Sequence, residues 1–263
     1  MKAKVYFSRT ITPEKVLELY KLVGKELPGK VAVKVHSGEK GNQNFLRPDF
    51  WKNIIESVGG TVVECNTAYD GARNTTSKHL KLLDEHGWNR YFPVDLLDAE
   101  GPDLELPIPN GKVIRKNYVG KDIVHYDSML VLSHFKGHPM GGYGGALKQL
   151  SIGVGSSYGK AYIHGAGDPK QIWTADHDSF LEAMADAAGS VVDFFHGNLV
   201  YINVHQCYEE HECGLRLLRR CGRSLHSRYR HSGFHRSHCH RSGLHRSGIC
   251  LHRSRQAPSA GTD

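Results

Sequence analysis

Apolar runs alternate with segments of helical periodicity along the first 204 residues. Short runs rich in β-branched residues predict buried strands, whereas apolar residues spaced three or four apart predict amphipathic helices. The predicted strands are Lys4–Ser8, Val31–His36, Thr61–Cys65, Met129–Leu132 and Leu199–Val204. The predicted helices are a segment that begins at Thr12-Pro13, then Pro48–Val58, Ser77–His86 and Asp178–Phe195. Strands that alternate with helices favour an α/β fold with a mostly parallel sheet flanked by helices.

Two regions of the chain give a mixed pattern. Residues 91–127 contain the short extended pieces Glu105–Ile108 and Lys112–Lys116, with turn signals between them. The segment Gly141–Ser157 is rich in glycine but keeps a helical apolar pattern. We expect irregular structure with short elements in both regions.

The composition changes at about His205, where the last 59 residues begin. These residues contain 11 arginines, no lysine and four acidic residues, so they carry the whole net charge of +7 and the first 204 residues are balanced. They also hold five of the six cysteines and four copies of His-Arg-Ser. Irregular cysteine spacing disfavours a zinc site, and the absence of a recurring apolar face disfavours a solenoid. If the tail binds nucleic acid, it does so only through non-specific attraction between arginine and phosphate.

A shifted reading frame explains this tail better. Plausible codons for the tail, read one base later, give Ile-Asn-Val directly after Ile202-Asn203-Val204, as a short tandem duplication in the DNA would produce. The shifted reading also restores the apolar rhythm of a folded chain. We therefore divide the chain into an α/β domain, residues 1–204, whose C-terminal part is missing, and a disordered tail, residues 205–263. The tail has too few apolar residues to offset the entropy of ordering.

The sequence predicts neither a signal peptide nor a membrane-spanning segment. The N-terminus has no apolar core of a signal peptide, and no apolar run approaches the roughly 20 residues of a membrane span. Cys65, the one cysteine of the first 204 residues, fits a reducing compartment. These features predict a cytoplasmic protein with no membrane partner and no specific nucleic-acid partner. They leave its oligomeric state open.

Polar clusters follow three of the predicted strands. Each cluster alone is also typical of a solvated loop, but ligands of open α/β sheets bind outside the carboxyl ends of the strands. The clusters are Lys34–Gly38, Asn66–Tyr69 and Ser133–His138. Three clusters at equivalent strand ends predict one shared cleft.

His134 and His138 are four residues apart, a spacing that places two imidazoles on one metal ion when it occurs on a helix. Gly137 and Pro139 favour a loop instead. Metal ligation by the two histidines and anion binding together with Lys136 therefore both stay open, and anion binding is the better supported.

The glycine-rich stretch Gly141–Gly145 precedes a predicted helix start. Free backbone N–H groups at such a start can hold a phosphate or a carboxylate, although glycine is also typical of tight packing. The chain has neither a Walker A motif nor a Rossmann fingerprint, and it shows no Ser-His-Asp arrangement. ATP hydrolysis, NAD binding and hydrolysis through a covalent intermediate are therefore not supported.

With these residues in place, the α/β domain resembles the domain-of-unknown-function 362 family, often described as uncharacterised iron–sulfur centre proteins. The segments that carry the resemblance are Lys34–Glu39, Phe45–Pro48, Asn66–Arg73, Leu132–His138, Gly144–Lys148 and Gly159-Lys160. Many members carry a ferredoxin-like segment, Cys-x2-Cys-x2-Cys-x3-Cys-Pro, that binds a 4Fe–4S cluster. The resemblance thus implies an iron–sulfur cluster in relatives, but the segment is absent from this chain.

Three functional hypotheses follow, and the sequence leaves open whether the chain is an enzyme. The first is a metal- or iron–sulfur-associated protein with a redox role. The second is a non-catalytic binding module for an anionic small molecule, and the third is an inactive truncated product. The candidate ligand-binding residues are Lys34, His36, Asn66, Arg73, His134, Lys136, His138, Lys148 and Lys160, with His134 and His138 as candidate metal ligands.

Overall fold

A computed structural model describes residues 5–101, 103–138 and 140–205, and the backbone of residues 248–253. The strands are β1 (Val5–Ser8), β2 (Val31–Lys34), β3 (Thr61–Glu64), β4 (Val94–Leu96), β5 (Leu104–Pro107), β6 (Lys116–Val119), β7 (Ser128–His134), β8 (Lys136–His138), β9 (Gly142–Gly144), β10 (Leu199–His205) and β11 (Gly248–Arg253). The helices are α1 (Pro13–Val23), α2 (Pro48–Ser57), α3 (Thr76–Glu85), α4 (Ala146–Ser151), α5 (Ser157–His164) and α6 (His177–Phe194).

Seven strands form the central sheet in the order β1-β11-β10-β7-β2-β3-β4. The five strands from β10 to β4 are parallel, and β11 pairs antiparallel with both β10 and β1. Two antiparallel hairpins, β5–β6 and β8–β9, lie outside this sheet. The predicted α/β class with a mostly parallel sheet flanked by helices is confirmed.

Both faces of the sheet are buried at the parallel strands β2, β3 and β7, as their continuous apolar runs predict. Successive side chains of a strand point to opposite faces. Val31 and Val33 accordingly join the core that contains α1 and α2, whereas Ala32 joins the core that contains α4 and the end of α6. Helices therefore cover the two faces, and the polar groups of the parallel strands can reach solvent only at the ends of the strands.

Local signals set the helix ends where the sequence places them. Thr12 accepts a hydrogen bond from the backbone N–H of Lys15, and Pro13 occupies the first turn of α1. Gly24 ends that helix in the left-handed conformation, at φ 61°, which glycine adopts without steric cost. The predicted helix that stops before Gly59-Gly60 is α2.

The hydrophobic pattern does not predict several short elements of the structure. The strand β4, the hairpin β8–β9 and the helix α5 have no prediction, and the extended piece expected at Lys112–Lys116 lies instead at β6. These elements are three to eight residues long, too short to show a period. Their conformation depends on tertiary contacts, such as the packing of α5 on β6 at Gly159, where a Cβ would come within 1.8 Å of the carbonyl oxygen of Tyr118.

Within the predicted tail, the backbone of Gly248–Arg253 forms the strand β11 between β1 and β10. It pairs with both of these strands, whose facing edges would otherwise expose unpaired backbone groups. The rest of the predicted tail, residues 206–247 and 254–263, lies outside the described residues. The frameshift stays a prediction, which the nucleotide sequence around codon 204 tests.

Among the helices that the structure describes, none combines the length and the apolar character that crossing a lipid bilayer requires.

Candidate ligand-binding site

The three predicted polar clusters meet at one edge of the sheet. From β2 the chain continues to β3 and β4 on one side, whereas β7 and β10 extend the sheet on the other side. The strand order therefore reverses between β2 and β7, and open α/β sheets bind ligands at such a crevice. A cavity of about 370 Å³ lies at this position, bounded by the carboxyl ends of β2, β3 and β7.

Eight of the nine candidate residues line this cavity: Lys34, His36, Arg73, His134, Lys136, His138, Lys148 and Lys160. The ninth, Asn66, lies in an adjacent pocket with Asp98 and Asp103. Its side chain contacts Thr76 and His79, and its backbone N–H donates to Asp98. The structure therefore brings the cationic candidates together and leaves Asn66 beside them.

Glu64 organises one side of the cavity, which we call the paired floor and define as Lys34, Glu64 and Arg73. The ammonium group of Lys34 lies 2.6 Å from one Glu64 oxygen, and the other oxygen accepts from the N–H and the hydroxyl of Ser37 at 2.8 and 2.9 Å. A guanidinium nitrogen of Arg73 is 3.7 Å from the same carboxylate. Arg73 also forms an ion pair with Glu39. Every charge of the floor thus has a partner of opposite sign.

The paired floor fixes the ionisation of its carboxylate. Burial by itself raises the pKa of Glu64, but the positive charges of Lys34 and Arg73 outweigh burial and lower that pKa well below its ordinary value. Lys34 and Glu64 are 1% and 2% exposed, so water screens their attraction only weakly. Glu64 therefore stays charged throughout the physiological pH range.

Lys136 and Lys148 form the opposite side of the cavity, which we call the unpaired wall. Neither ammonium group has a hydrogen-bond or ion-pair partner among the described residues. Burial lowers the pKa of Lys148 to about 8, and the positive charges of Lys136 and Arg73 add to the shift. Burial also lowers the pKa of Lys136, although Glu39 opposes the change. The unpaired wall thus carries positive charge that the protein itself does not neutralise.

Lys160 is intermediate between these two sides. Its ammonium group donates to the carbonyl oxygen of Gly155 at 2.5 Å. Burial lowers its pKa, while the neighbouring Asp98 raises it. Five cations and two carboxylates, Glu39 and Glu64, therefore line the cavity, and the excess is positive.

The ring of His138 has a fixed tautomer. Its Nδ1 accepts hydrogen bonds from the backbone N–H groups of Met140 and Gly141, at 3.3 and 3.0 Å. Since a backbone N–H can only donate, Nδ1 carries no proton and the proton of the neutral ring is on Nε2. Burial, together with the charge of Lys148, lowers the pKa of His138 to about 3. His138 is therefore a neutral hydrogen-bond donor.

This tautomer disfavours the metal site predicted for His134 and His138. A metal ion binds the lone pair of an imidazole nitrogen, and in His138 one nitrogen is already an acceptor while the other carries the proton. The two histidines also lie on the separate strands β7 and β8 rather than on one helix. Within the described residues, no three His, Cys, Asp or Glu side chains are grouped as a metal ion requires.

The described residues do not fit an iron–sulfur cluster either. Cys65 is the one cysteine whose side chain the structure describes, and it is fully buried. Its thiol lies 3.3 Å from the carbonyl oxygen of Val154, and burial raises its pKa. Cluster ligation needs several thiolates, so this buried, protonated thiol does not provide a site.

The glycine-rich stretch lies at the cavity but leaves few free N–H groups. The N–H of Ala146, at the start of α4, donates to the side-chain oxygen of Asn203 at 2.9 Å. A Cβ on Gly145 would come within 2.9 Å of the Phe135 ring and 3.0 Å of that oxygen. The close packing of α4 accounts for Gly145, so the packing alternative is the better supported of the two.

The sequence interpretation missed several residues that line the cavity: Glu39, Glu64, Gln149, His164 and Trp173. Glu64 had a signal, because it is a lone carboxylate at the end of an apolar strand, and a charge there needs a buried partner. Gln149 connects β2 with β7. Its amide oxygen accepts from Lys34, and its amide nitrogen donates to the carbonyl of Leu132. Trp173 is 65% exposed and gave no signal.

The fold and the site together define an α/β protein with a cationic crevice at the point where the strand order reverses. The family model for the domain of unknown function DUF362 matches residues 31–214. The chain belongs to this family. No curated protein matches the chain significantly.

Two solved structures are similar in outline. The lactate racemase apoprotein from Thermoanaerobacterium thermosaccharolyticum is 15% identical, with a TM-score of 0.48, over 75% of this chain and 50% of that one. A protein from Thermotoga maritima is 16% identical, with a TM-score of 0.49, over 79% of this chain and 54% of that one. The chain thus spans about half the length of these two proteins, and similarity at this level carries no argument about function.

Proposed function

We propose that this chain binds a small anionic molecule, one that carries phosphate or carboxylate groups, in the crevice between β2 and β7. The observation that carries the proposal is the contrast between the two sides of the cavity. Lys34 and Arg73 have carboxylate partners, whereas Lys136 and Lys148 have none among the described residues. A bound anion would supply the missing partner.

The charges that line the cavity support an anion in particular. Unpaired cations in a partly desolvated site repel one another, and the lowered pKa of Lys148 expresses that repulsion together with burial. A bound anion would offset both the repulsion between the lysines and the loss of their hydration. It would also accept charge-assisted hydrogen bonds, which are about twice as strong as neutral ones. His138 adds a neutral Nε2–H donor at the same cavity.

The iron–sulfur and redox role comes from the family resemblance alone. The described side chains provide no group of thiolates, and Cys65 is buried and protonated. Iron and sulfide analysis of the anaerobically purified protein, with its visible spectrum, would test that role independently of the anion site.

A titration with inorganic phosphate and with citrate tests the proposal. Trp173 is exposed at the cavity, whereas Trp51 and Trp88 are buried, so tryptophan fluorescence should report binding and Trp173→Phe should remove most of the signal. Sodium chloride at equal ionic strength separates specific binding from screening.

Lys136→Met and Lys148→Met should each weaken binding by about 1.5–3 kcal/mol, the size of a hydrogen bond to a charged group. Lys81→Met is the matched control, because the Lys81 side chain is 77% exposed on α3. Equal affinities for all three variants would contradict the proposal.

A further inference from the structure

We propose that the ligand of the crevice carries an aromatic ring in addition to its anionic group, and that Trp173 and Tyr69 bind this ring. The inference rests on the proposed anion site and names the class of its ligand. It comes from these two aromatic side chains, which line the same cavity as the unpaired wall.

Trp173 and Tyr69 form a pair of exposed rings. Their ring centroids are 6.3 Å apart, and the ring planes are inclined by 49°. Trp173 is 65% exposed and Tyr69 is 44% exposed. In the other ring pairs of the described residues, such as Tyr91 with Phe92, at least one ring is buried or half-buried. Single exposed aromatic side chains are common on protein surfaces, whereas contiguous exposed apolar groups are typical of a binding surface.

The two rings come from different segments, and local hydrogen bonds fix both segments at the cavity. Tyr69 follows β3, and its hydroxyl lies 3.5 Å from a carboxylate oxygen of Glu39. Trp173 lies between α5 and α6, where the backbone N–H of Thr174 donates to the carbonyl of Gln171 at 3.0 Å. Groups that are held in place before binding lose less conformational entropy when a ligand arrives.

The cavity wall combines cationic residues with apolar ones. Lys136 and Lys148 supply positive charge, and Met140 and Ile172 line the cavity together with the two rings. Small-molecule sites of about 300–1,000 Å³ typically have apolar and aromatic walls with a few polar groups that fix the orientation of the ligand. The cavity of about 370 Å³ falls in this range. Inorganic phosphate would fill only a small part of it, whereas an anion with a ring would use both kinds of wall.

An aromatic ring fits this pair better than a saturated group does. Aromatic rings in offset-stacked or edge-to-face contact gain free energy beyond the burial of their apolar area. A planar ring stacked on Trp173 would be inclined to Tyr69 by the angle that separates the two side chains. Both kinds of contact are therefore open to one aromatic ligand, while a saturated ring gains from burial alone.

Isothermal titration calorimetry of the full chain with three phosphate compounds tests the inference. The compounds are inorganic phosphate, cyclohexyl phosphate and phenyl phosphate, compared at pH 8, about two units above the second pKa of a phosphate ester. The two esters share the anion and a six-membered ring, but only the phenyl ring is aromatic. We expect phenyl phosphate to bind about tenfold or more tightly than inorganic phosphate, because the ring is buried. It should bind about two- to tenfold more tightly than cyclohexyl phosphate, the range that aromatic contacts add.

Variants of the two rings show where the preference arises. Trp173→Leu and Tyr69→Leu should each lower the affinity for phenyl phosphate by more than the affinity for inorganic phosphate. Tyr69→Phe should keep the preference, because it removes the hydroxyl and retains the ring. Tyr91→Leu is the matched control, since Tyr91 is 45% exposed and lies outside the cavity. Trp173 is so exposed that its replacement removes little buried surface, and the variant should fold.

The outcomes separate this inference from the proposed function. Equal affinities for the two esters, or an unchanged preference for phenyl phosphate in Trp173→Leu, would overturn the inference even where phosphate binds. Failure of all three compounds to bind the wild type would instead overturn the proposed function.

Discussion

The two sides of the cavity hold the same kinds of side chain in opposite states. In the paired floor, Lys34 and Arg73 surround Glu64, and all three are almost completely buried. In the unpaired wall, Lys136 and Lys148 face the cavity with no partner among the described residues. Burying a charge is tolerated when it is paired and is costly otherwise. We infer that the floor serves the fold, and under the proposed function a bound anion would complete the wall.

The largest expected effect comes from breaking the paired floor. Glu64→Ala leaves Lys34 and Arg73 buried without their shared partner, and removing one member of a buried pair typically costs about 3–5 kcal/mol. Urea denaturation should show this loss in the free energy of unfolding. Glu56→Ala, which breaks the exposed Lys52–Glu56 pair, should change it by less than about 1 kcal/mol.

The contribution of Glu64 to the free energy of unfolding depends on pH. The pKa of Glu64 in the folded protein lies below its ordinary value of 4.5, so its contribution to stability is fully present above pH 4.5 and is lost as the pH falls toward the folded-state pKa. The difference between the wild type and Glu64→Ala should therefore shrink in acid. A constant difference down to pH 2 would contradict the role given to the floor.

Removing a lysine of the unpaired wall should raise the free energy of unfolding, whereas breaking the paired floor lowers it. Lys148→Met removes an unpaired, partly desolvated cation, and we expect it to raise the free energy of unfolding by about 1–3 kcal/mol at pH 7 in buffer without a binding anion. The pKa of Lys148 is about 8 in the folded protein against 10.5 ordinarily. Its penalty is thus complete below about pH 8 and disappears as the pH rises toward 10.5. A destabilised Lys148→Met at pH 7, measured beside Lys81→Met, would show that the wall is structural.

A smaller effect should come from one hydrogen bond of the floor. Ser37→Ala removes the hydroxyl that donates to Glu64 at 2.9 Å, but the backbone N–H of Ser37 still donates to the same oxygen. We expect a loss of about 1.5 kcal/mol, the lower end for hydrogen bonds to charged groups. Ser57→Ala, whose hydroxyl donates to the neutral carbonyl of Ile54, should lose less in the same urea denaturation. Equal losses would mean that the charge of Glu64 adds nothing.

The smallest expected effect concerns metal. Because Nδ1 of His138 accepts two backbone N–H groups and Nε2 carries the proton, His138→Gln should leave the metal content of the purified protein unchanged. Elemental analysis by mass spectrometry checks this, with His125→Gln as an exposed control. A loss of bound metal in His138→Gln alone would restore the metal-site hypothesis.

The sequence predicts the position of the site better than its chemistry. Lys34, His134 and Lys136 come together because the carboxyl ends of parallel strands share one edge, and that follows from the pattern of strands. The sequence predicts a loop around His134 and His138 and misses the hairpin β8–β9, because that hairpin is too short and glycine-rich to show a strand pattern. Asn66 follows its strand like the others, but hydrogen bonds to Thr76 and His79 hold its side chain outside the cavity.

The sequence by itself determined the fold class and the edge of the sheet where polar groups gather, because strands buried on both faces must be apolar throughout and expose polar residues only at their ends. The tertiary structure alone decided which cations are neutralised. The pairing of β2 with β3 brings Glu64 to Lys34, and the loop after β8 turns two N–H groups toward His138. Charge pairing and tautomers depend on distances of a few ångströms between segments remote in the chain, and no spacing in the sequence encodes them.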